Sequence, residues 1–273
     1  MRIAITGSSG LIGTVLVEEL HQRHQLTGYD LKPSATLPGG VRFVQGDVED
    51  RQALALAFEG AEAVIHLAAI PYDIPPLHEV FEVNMQGTYN ALEIAVEQGV
   101  GCLLFASSIM AYGFGQNTDP QYFPVDEAHP VLANRPYGLS KALGEQLCRS
   151  FTERCGIRTH CFRLTTAVAP GKRYEHLPSR ERQGEVGLYS YFDIRDFAPL
   201  AEAALQATQL THETFLVAAA DSGHADPTAE VIGRYYPQAE QRYTQVQPTS
   251  PFVSCAKAQR LLGFEPRYSW RTQ

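Results

Sequence analysis

With 273 residues, 44% of them hydrophobic and 19% charged, the chain can bury one large core, or one core with an attached lobe. A formal charge of −8 withholds the long-range attraction that nucleic acid or an anionic membrane requires, so an anionic ligand must be held by local positive groups. No apolar run reaches the roughly 20 residues that span a bilayer, the N-terminus enters a strand without a signal-like segment, and five cysteines without CxxC spacing predict neither disulfides nor a metal site; a cytoplasmic location is expected.

In chain order, residues 2–6 read as a strand running directly into Gly7-Ser8-Ser9-Gly10-Leu11-Ile12-Gly13, and a helix over 11–24 follows. The glycines answer three needs: a tight turn, backbone approach to a pyrophosphate, and helix-to-sheet contact without a Cβ. The helix start aims free amides and a positive dipole end at phosphates. A strand over 26–30 ends in Asp30, at the offset where a carboxylate accepts hydrogen bonds from an adenosine ribose and repels a 2′-phosphate. Strand, glycine triplet, helix, strand and acid in that order predict a dinucleotide site, and NAD in preference to NADP.

Further strands are expected at 42–45, 63–67, 102–107, 158–164 and 214–218, with helices at 51–58, 77–98, 137–154 and 196–207 between them. This alternation predicts an α/β fold, a doubly wound parallel (Rossmann) sheet with helices on both faces. The pattern breaks over 169–187 and again after Gly223, where prolines punctuate the chain up to a short helix near 255–262. We therefore expect a dinucleotide-binding domain over 1–168, rejoined by 190–220. Residues 169–189 and 221–273 should form a small C-terminal substrate lobe whose loops close over the carboxyl edge of the sheet.

Tyr137 and Lys141 stand i, i+4 at the start of a helix, just after Pro136. Lowering a tyrosine pKa from 10 to neutrality takes roughly 4 kcal/mol of preference for phenolate. A lysine at about 4 Å and an effective dielectric near 20 contributes an interaction of that order, to which a nicotinium ring would add. The preceding strand ends in Ser107-Ser108 at the same edge, where a hydroxyl can hold a substrate oxygen while Tyr137 takes its proton.

Thr6-Gly7-x-x-Gly10-x-x-Gly13, Asp30, Asp47-Val48, His66-Leu67-Ala68-Ala69, Asn84 with Gly87-Thr88, Phe105-Ala106-Ser107-Ser108 before Tyr112-Gly113, and Tyr137-x-x-x-Lys141 together resemble the extended short-chain dehydrogenase/reductases. More narrowly they resemble the NAD-dependent epimerase/dehydratase family, which includes UDP-galactose 4-epimerase and uronate dehydrogenase. The similarity extends through 163–171, 193–198 and 256–266. The resemblance implies that Tyr137 is the acid/base, that Lys141 orients the cofactor ribose and tunes Tyr137, and that Ser108 polarises the substrate oxygen. It further implies cofactor contacts from Gly7, Gly10, Leu11, Ile12, Gly13, Asp30, Asp47, Val48, Leu67, Ala68, Ala69, Asn84 and Ser107. Substrate contacts are expected from Tyr72, Ser107, Ile109, Thr166 and Arg173. Only about thirty residues separate Arg163 from Asp196, a short allowance for gripping a nucleotide, and Thr166 stands where many sugar epimerases carry asparagine.

The expected activity is hydride transfer at a secondary alcohol of a sugar or nucleotide-sugar. Two outcomes stay open: an epimerase that returns the hydride, or a uronate or aldose dehydrogenase that releases NADH. A non-catalytic NAD-binding sensor is the rival from another class, and an intact Ser-Tyr-Lys set argues against it. His66 reads as a packed core histidine. Lys172, Arg173, Arg180 and Arg182 are either solvated loop charges or a clamp for an anion. The helices over 77–98 and 137–154 resemble the pair through which family members dimerise, so a homodimer is expected.

Overall fold

The computed structural model describes residues 1–115, 118–170 and 187–272. Its elements are β1 (Arg2–Thr6), α1 (Leu11–Leu20), β2 (Gln25–Asp30), β3 (Arg42–Gln45), α2 (Arg51–Phe58), β4 (Ala63–His66), α3 (Leu77–Glu97), β5 (Cys102–Ser108), β6 (Tyr122–Phe123), α4 (Pro136–Cys155), β7 (Arg158–Leu164), β8 (Thr166–Val168), β9 (Tyr191–Asp193), α5 (Phe197–Gln206), β10 (His212–Val217), α6 (Thr228–Tyr235), β11 (Glu240–Gln241) and α7 (Ala256–Leu262). Seven strands form one parallel sheet in the order β10-β7-β5-β4-β1-β2-β3. Strand order reverses between β1 and β4, which opens a crevice at their carboxyl ends.

Because the sheet is covered on both faces, its central strands are buried at consecutive positions instead of alternating ones: β4 and β5 are buried throughout. One core joins alternate residues of β1, β4, β5, β7 and β10 to α1, α5 and α7, through Leu16, Leu20, Phe162, Phe197, Leu200 and Phe215 among others. The opposite core packs the remaining strand residues against α2, α3 and α4, through Leu54, Phe58, Leu92, Leu103, Cys148 and Phe151. Helix α4 begins with Pro136 in its first turn and ends on Gly156, whose φ of 76° suits a left-handed cap. Helix α1 stops at Leu20, short of the expected residue 24, because the amides of Arg23 and His24 turn back to the Leu20 carbonyl and Gln25 donates to the Met1 carbonyl as β2 pairs with β1.

A third cluster lies beyond the carboxyl edge, made by Tyr112, Phe114, Phe123, Leu188, Tyr189, Val231, Tyr236 and Phe252. It draws on residues 109–125, which lie outside the segments expected to form a lobe, while α7 packs on the main sheet through Ala258. The strands β6, β8, β9 and β11 span two or three residues each, too short for a sequence period to register. Among the described residues, no helix is long and apolar enough to cross a membrane.

Candidate active site

The crevice is a continuous cleft of about 860 Å³ running from Asp30 and Lys32 at one end to Thr165, Thr166 and Ser190 at the other. At its head, Gly7 adopts φ +70°, and a Cβ there would come 2.7 Å from the Ala68 nitrogen. A Cβ on Gly13 would overlap the Gly7 carbonyl oxygen, so α1 can meet the turn only through glycine. Helix α1 starts at Gly10 without a side-chain cap and lines the cleft through Leu11, Ile12 and Gly13. These features fit a pyrophosphate: an uncapped helix N-terminus facing a cradle that any Cβ would fill. Asp30 accepts from the amides of Ser9 at 2.9 Å and Leu31 at 2.8 Å, which pins its carboxylate beside the cradle. Asp47 and Val48 follow β3 along the same wall, and Leu67, Ala68 and Ala69 follow β4.

Tyr137, Lys141 and Ser108 all line the deeper part of the cleft. Phe105 packs where a Cβ on Gly144 would come 2.5 Å from its ring, which draws α4 close to β5. The Tyr137 amide donates to Asp73 at 2.9 Å, so the loop after β4 caps α4 at its first turn. Ser108 accepts from the Met110 amide at 3.1 Å, and its hydroxyl lies within hydrogen-bond reach of the Tyr137 phenol. Burial pushes Tyr137 up to about 12; its bond to Ser108 opposes this, and Tyr72 and Asp73 add to it. The expected lowering of Tyr137 by Lys141 is therefore not a property of the protein alone. Burial pulls Lys141 down to about 8, and its ammonium stands 5.8 Å from the Tyr137 ring centre.

Ser107 has its hydroxyl proton engaged beneath the cleft floor, donating to Glu145 at 2.5 Å. Glu145 in turn holds Arg163 in a bidentate pair at 2.9 and 2.7 Å, with both side chains buried. The Arg163 guanidinium lies 4.6 Å from the Tyr112 ring centre. His66 shares a 2.7 Å hydrogen bond with Thr6, and burial, reinforced by Lys141, takes its pKa to about 3. It stays neutral and packed at physiological pH, as its setting in an apolar strand predicts.

Of the residues expected at the site, Gly7, Gly10, Leu11, Ile12, Gly13, Asp30, Asp47, Val48, Leu67, Ala68, Ala69, Tyr72, Ser107, Ser108, Ile109, Tyr137, Lys141 and Thr166 line the cleft. Asn84 does not. Its amide accepts from the Ile70 nitrogen at 2.7 Å and donates to the Ile70 carbonyl and the Ser140 hydroxyl, so it ties the loop after β4 to α4. Arg173, with Lys172, Arg180 and Arg182, lies outside the described residues. Asp73, Glu145, Thr165 and Ser190 were missed by sequence reasoning. Glu145 alone left a signal, since it continues the i, i+4 series of Tyr137 and Lys141 into the next turn.

A doubly wound parallel sheet, a glycine cradle at the β1–α1 turn and a Ser-Tyr-Lys group at the end of β5 and start of α4 define a short-chain dehydrogenase/reductase. More specifically, the chain belongs to the NAD dependent epimerase/dehydratase family, whose sequence profile matches residues 3–182. NAD is its cofactor. It is similar to L-arabinose 1-dehydrogenase (NAD(P)(+)) of Haloferax volcanii, 34% identical over 188 residues, which cover 66% of this chain and 72% of that one. It is also similar to a putative UDP-glucose 4-epimerase of Methanocaldococcus jannaschii, 32% identical over 203 residues, covering 70% of this chain and 61% of that one. A short-chain dehydrogenase/reductase superfamily protein from Agrobacterium tumefaciens with bound NAD superposes with a TM-score of 0.77 at 26% identity, over 99% of this chain and 94% of that one. The chain is thus an NAD-dependent oxidoreductase of the extended short-chain type, whose relatives include sugar dehydrogenases and nucleotide-sugar epimerases.

Proposed function

We propose that this protein is an NAD-dependent sugar dehydrogenase that oxidises a ring carbon bearing a hydroxyl in a free sugar to the carbonyl and releases NADH. The observation that carries this reading is the convergence of Ser108, Tyr137 and Lys141 on one wall of a cleft whose other end is a glycine cradle beside Asp30. Gly7, Gly10 and Gly13 with the amides of Leu11 and Ile12 would hold the pyrophosphate, Asp30 the adenosine ribose, and Asp47 and Val48 the adenine. Leu67, Ala68 and Ala69 would run beside the rest of the cofactor. Bound NAD supplies the hydride acceptor.

Tyr137, as phenolate, takes the alcohol proton while the C–H bond yields its electron pair as hydride, so one hydride, carrying two electrons, and one proton leave the sugar. Ser108 would donate its one proton to the substrate oxygen, and Lys141 would hold the nicotinamide ribose. The kinship with a free-sugar dehydrogenase over 72% of its length supports release of NADH. Kinship with a putative UDP-glucose 4-epimerase favours a second reading, in which the hydride returns to the substrate from the opposite face. A panel of aldoses, uronates and nucleotide-sugars with NAD, followed by NADH absorbance and product stereochemistry, separates them. Absorbance growth supports the dehydrogenase; inversion without growth overturns it.

The loops beyond the carboxyl edge would form the substrate lobe and close over the cleft. A homodimer is proposed through α3 and α4, whose exposed Tyr89 and Leu143 offer an apolar face.

A further inference from the structure

Three hydroxyls at the substrate end of the cleft have their single proton already engaged. Ser107 donates to the Glu145 carboxylate at 2.5 Å, Thr165 to the Val217 carbonyl at 2.9 Å, and Ser190 to the Leu188 carbonyl at 3.0 Å. A carbonyl oxygen cannot donate, and the Glu145 oxygen that takes the Ser107 proton also accepts from Arg163, so each hydroxyl is the donor in its bond. All three residues line the cleft and are themselves at least 94% buried, since their exposures are 2, 6 and 2%. They are also neighbours along the edge: Ser107 pairs with Arg163 across β5 and β7, Thr165 directly follows β7, and the Thr166 amide donates to the Ser190 carbonyl at 3.2 Å. With that proton engaged, what each hydroxyl has left to offer a ligand is lone pairs.

Resting on the dehydrogenase reading above, we infer that this wall selects a neutral sugar whose hydroxyls donate to Ser107, Thr165 and Ser190, and disfavours a carboxylate at the same place. A carboxylate brings only lone pairs, and accepting one would require breaking bonds to buried carbonyls or to Glu145. The charged groups lining this end agree. Among the described residues Asp73 lies there and no cation other than Lys141, which stands against the Tyr137 and Phe105 rings. The substrate class is accordingly an aldose in preference to its uronate.

The test uses the wild-type protein with NAD, an aldopyranose, its uronate counterpart, and deoxy and fluoro analogues of the aldose. The expected result is a kcat/KM for the aldose at least tenfold above the uronate. At one or more hydroxyls away from the oxidised carbon, fluorine should lose as much activity as hydrogen, because fluorine accepts but cannot donate. A preference for the uronate, or fluoro analogues that keep parental efficiency wherever the deoxy sugars lose it, overturns the inference and leaves the dehydrogenase reading standing. Failure of every sugar to reduce NAD overturns both. Ser107→Ala adds an independent arm: it removes one of the three acceptors and leaves the bidentate pair of Glu145 and Arg163 in place. The aldose-to-uronate ratio should fall about tenfold; an unchanged ratio in the folded variant counts against the inference, and should the variant not fold, the wild-type analogue series still decides.

Discussion

The Lys141 ammonium lies 5.8 Å from the centre of the Tyr137 ring and 5.0 Å from that of Phe105. At this range its attraction does not offset the burial that pushes the phenol up to about 12. The remaining stabilisation of phenolate has to come with the oxidised cofactor. Ultraviolet titration of tyrosinate, taken as wild type minus Tyr137→Phe, should place this residue near 12 in the protein alone. NAD should lower it by about two units, equivalent to about 2.7 kcal/mol. The limiting rate should rise with pH toward the lowered value; a phenol that NAD leaves unmoved would count against its role as base.

Lys141 also makes stability depend on pH, and the sign can be worked out. Its folded pKa of about 8 lies below the ordinary lysine value of 10.5, so between those values the unfolded chain holds a proton that the folded one has released. Stability gains from this group as pH rises through that window, up to about 3 kcal/mol, and the penalty is fully present below pH 8. Urea midpoints at pH 7 and pH 10 for wild type and Lys141→Met measure it: wild type should gain on the variant at the higher pH.

Tyr137→Phe removes the proton acceptor and its bond to Ser108 but keeps the Asp73 cap on α4, which is held by the backbone amide. Turnover should fall by about 10³-fold, within the usual range for general acid–base groups, while NAD affinity measured calorimetrically stays within about threefold. Residual turnover above a tenth of wild type would remove Tyr137 from the mechanism.

Asp30 is held by two backbone amides and cannot swing away from a 2′-phosphate. Asp30→Asn keeps the size of the side chain and removes the charge. The ratio of kcat/KM for NAD over NADP should drop by about tenfold to a hundredfold, the span of one to two charge contacts. An unchanged ratio would place discrimination elsewhere.

The pair of Glu145 and Arg163 is buried, so cutting it from one side strands a charge. Glu145→Ala should cost about 3–5 kcal/mol in urea unfolding. The double replacement Glu145→Leu with Arg163→Met should recover most of that stability and still lose substrate discrimination, because Ser107 then has no carboxylate to donate to. Equal destabilisation by the single and double variants would show that packing, not charge, sets the cost.

Sequence reading reached the sheet, the glycine cradle and the Ser-Tyr-Lys group because each leaves a local trace: apolar runs at strand length, a fixed glycine spacing, and an i, i+4 pair behind a proline. It could not see that Asn84, with the right residue type and neighbourhood, turns its amide to Ile70 and Ser140. It also passed over Asp73, whose partner Tyr137 lies 64 residues along the chain. Nor can adjacency separate Thr165 from Thr166, both of which line the cleft, for the backbone alone decides which of the two hydroxyls bonds Val217.

The residue order by itself determined the architecture and the class of cofactor, because periodic burial and glycine geometry are properties of short stretches. Only the folded chain decided the direction of each hydrogen bond at the cleft. Whether a serine or threonine offers a proton or a lone pair depends on what stands behind it, and Glu145, Val217 and Leu188 come into place only when β5, β7, β10 and α4 assemble.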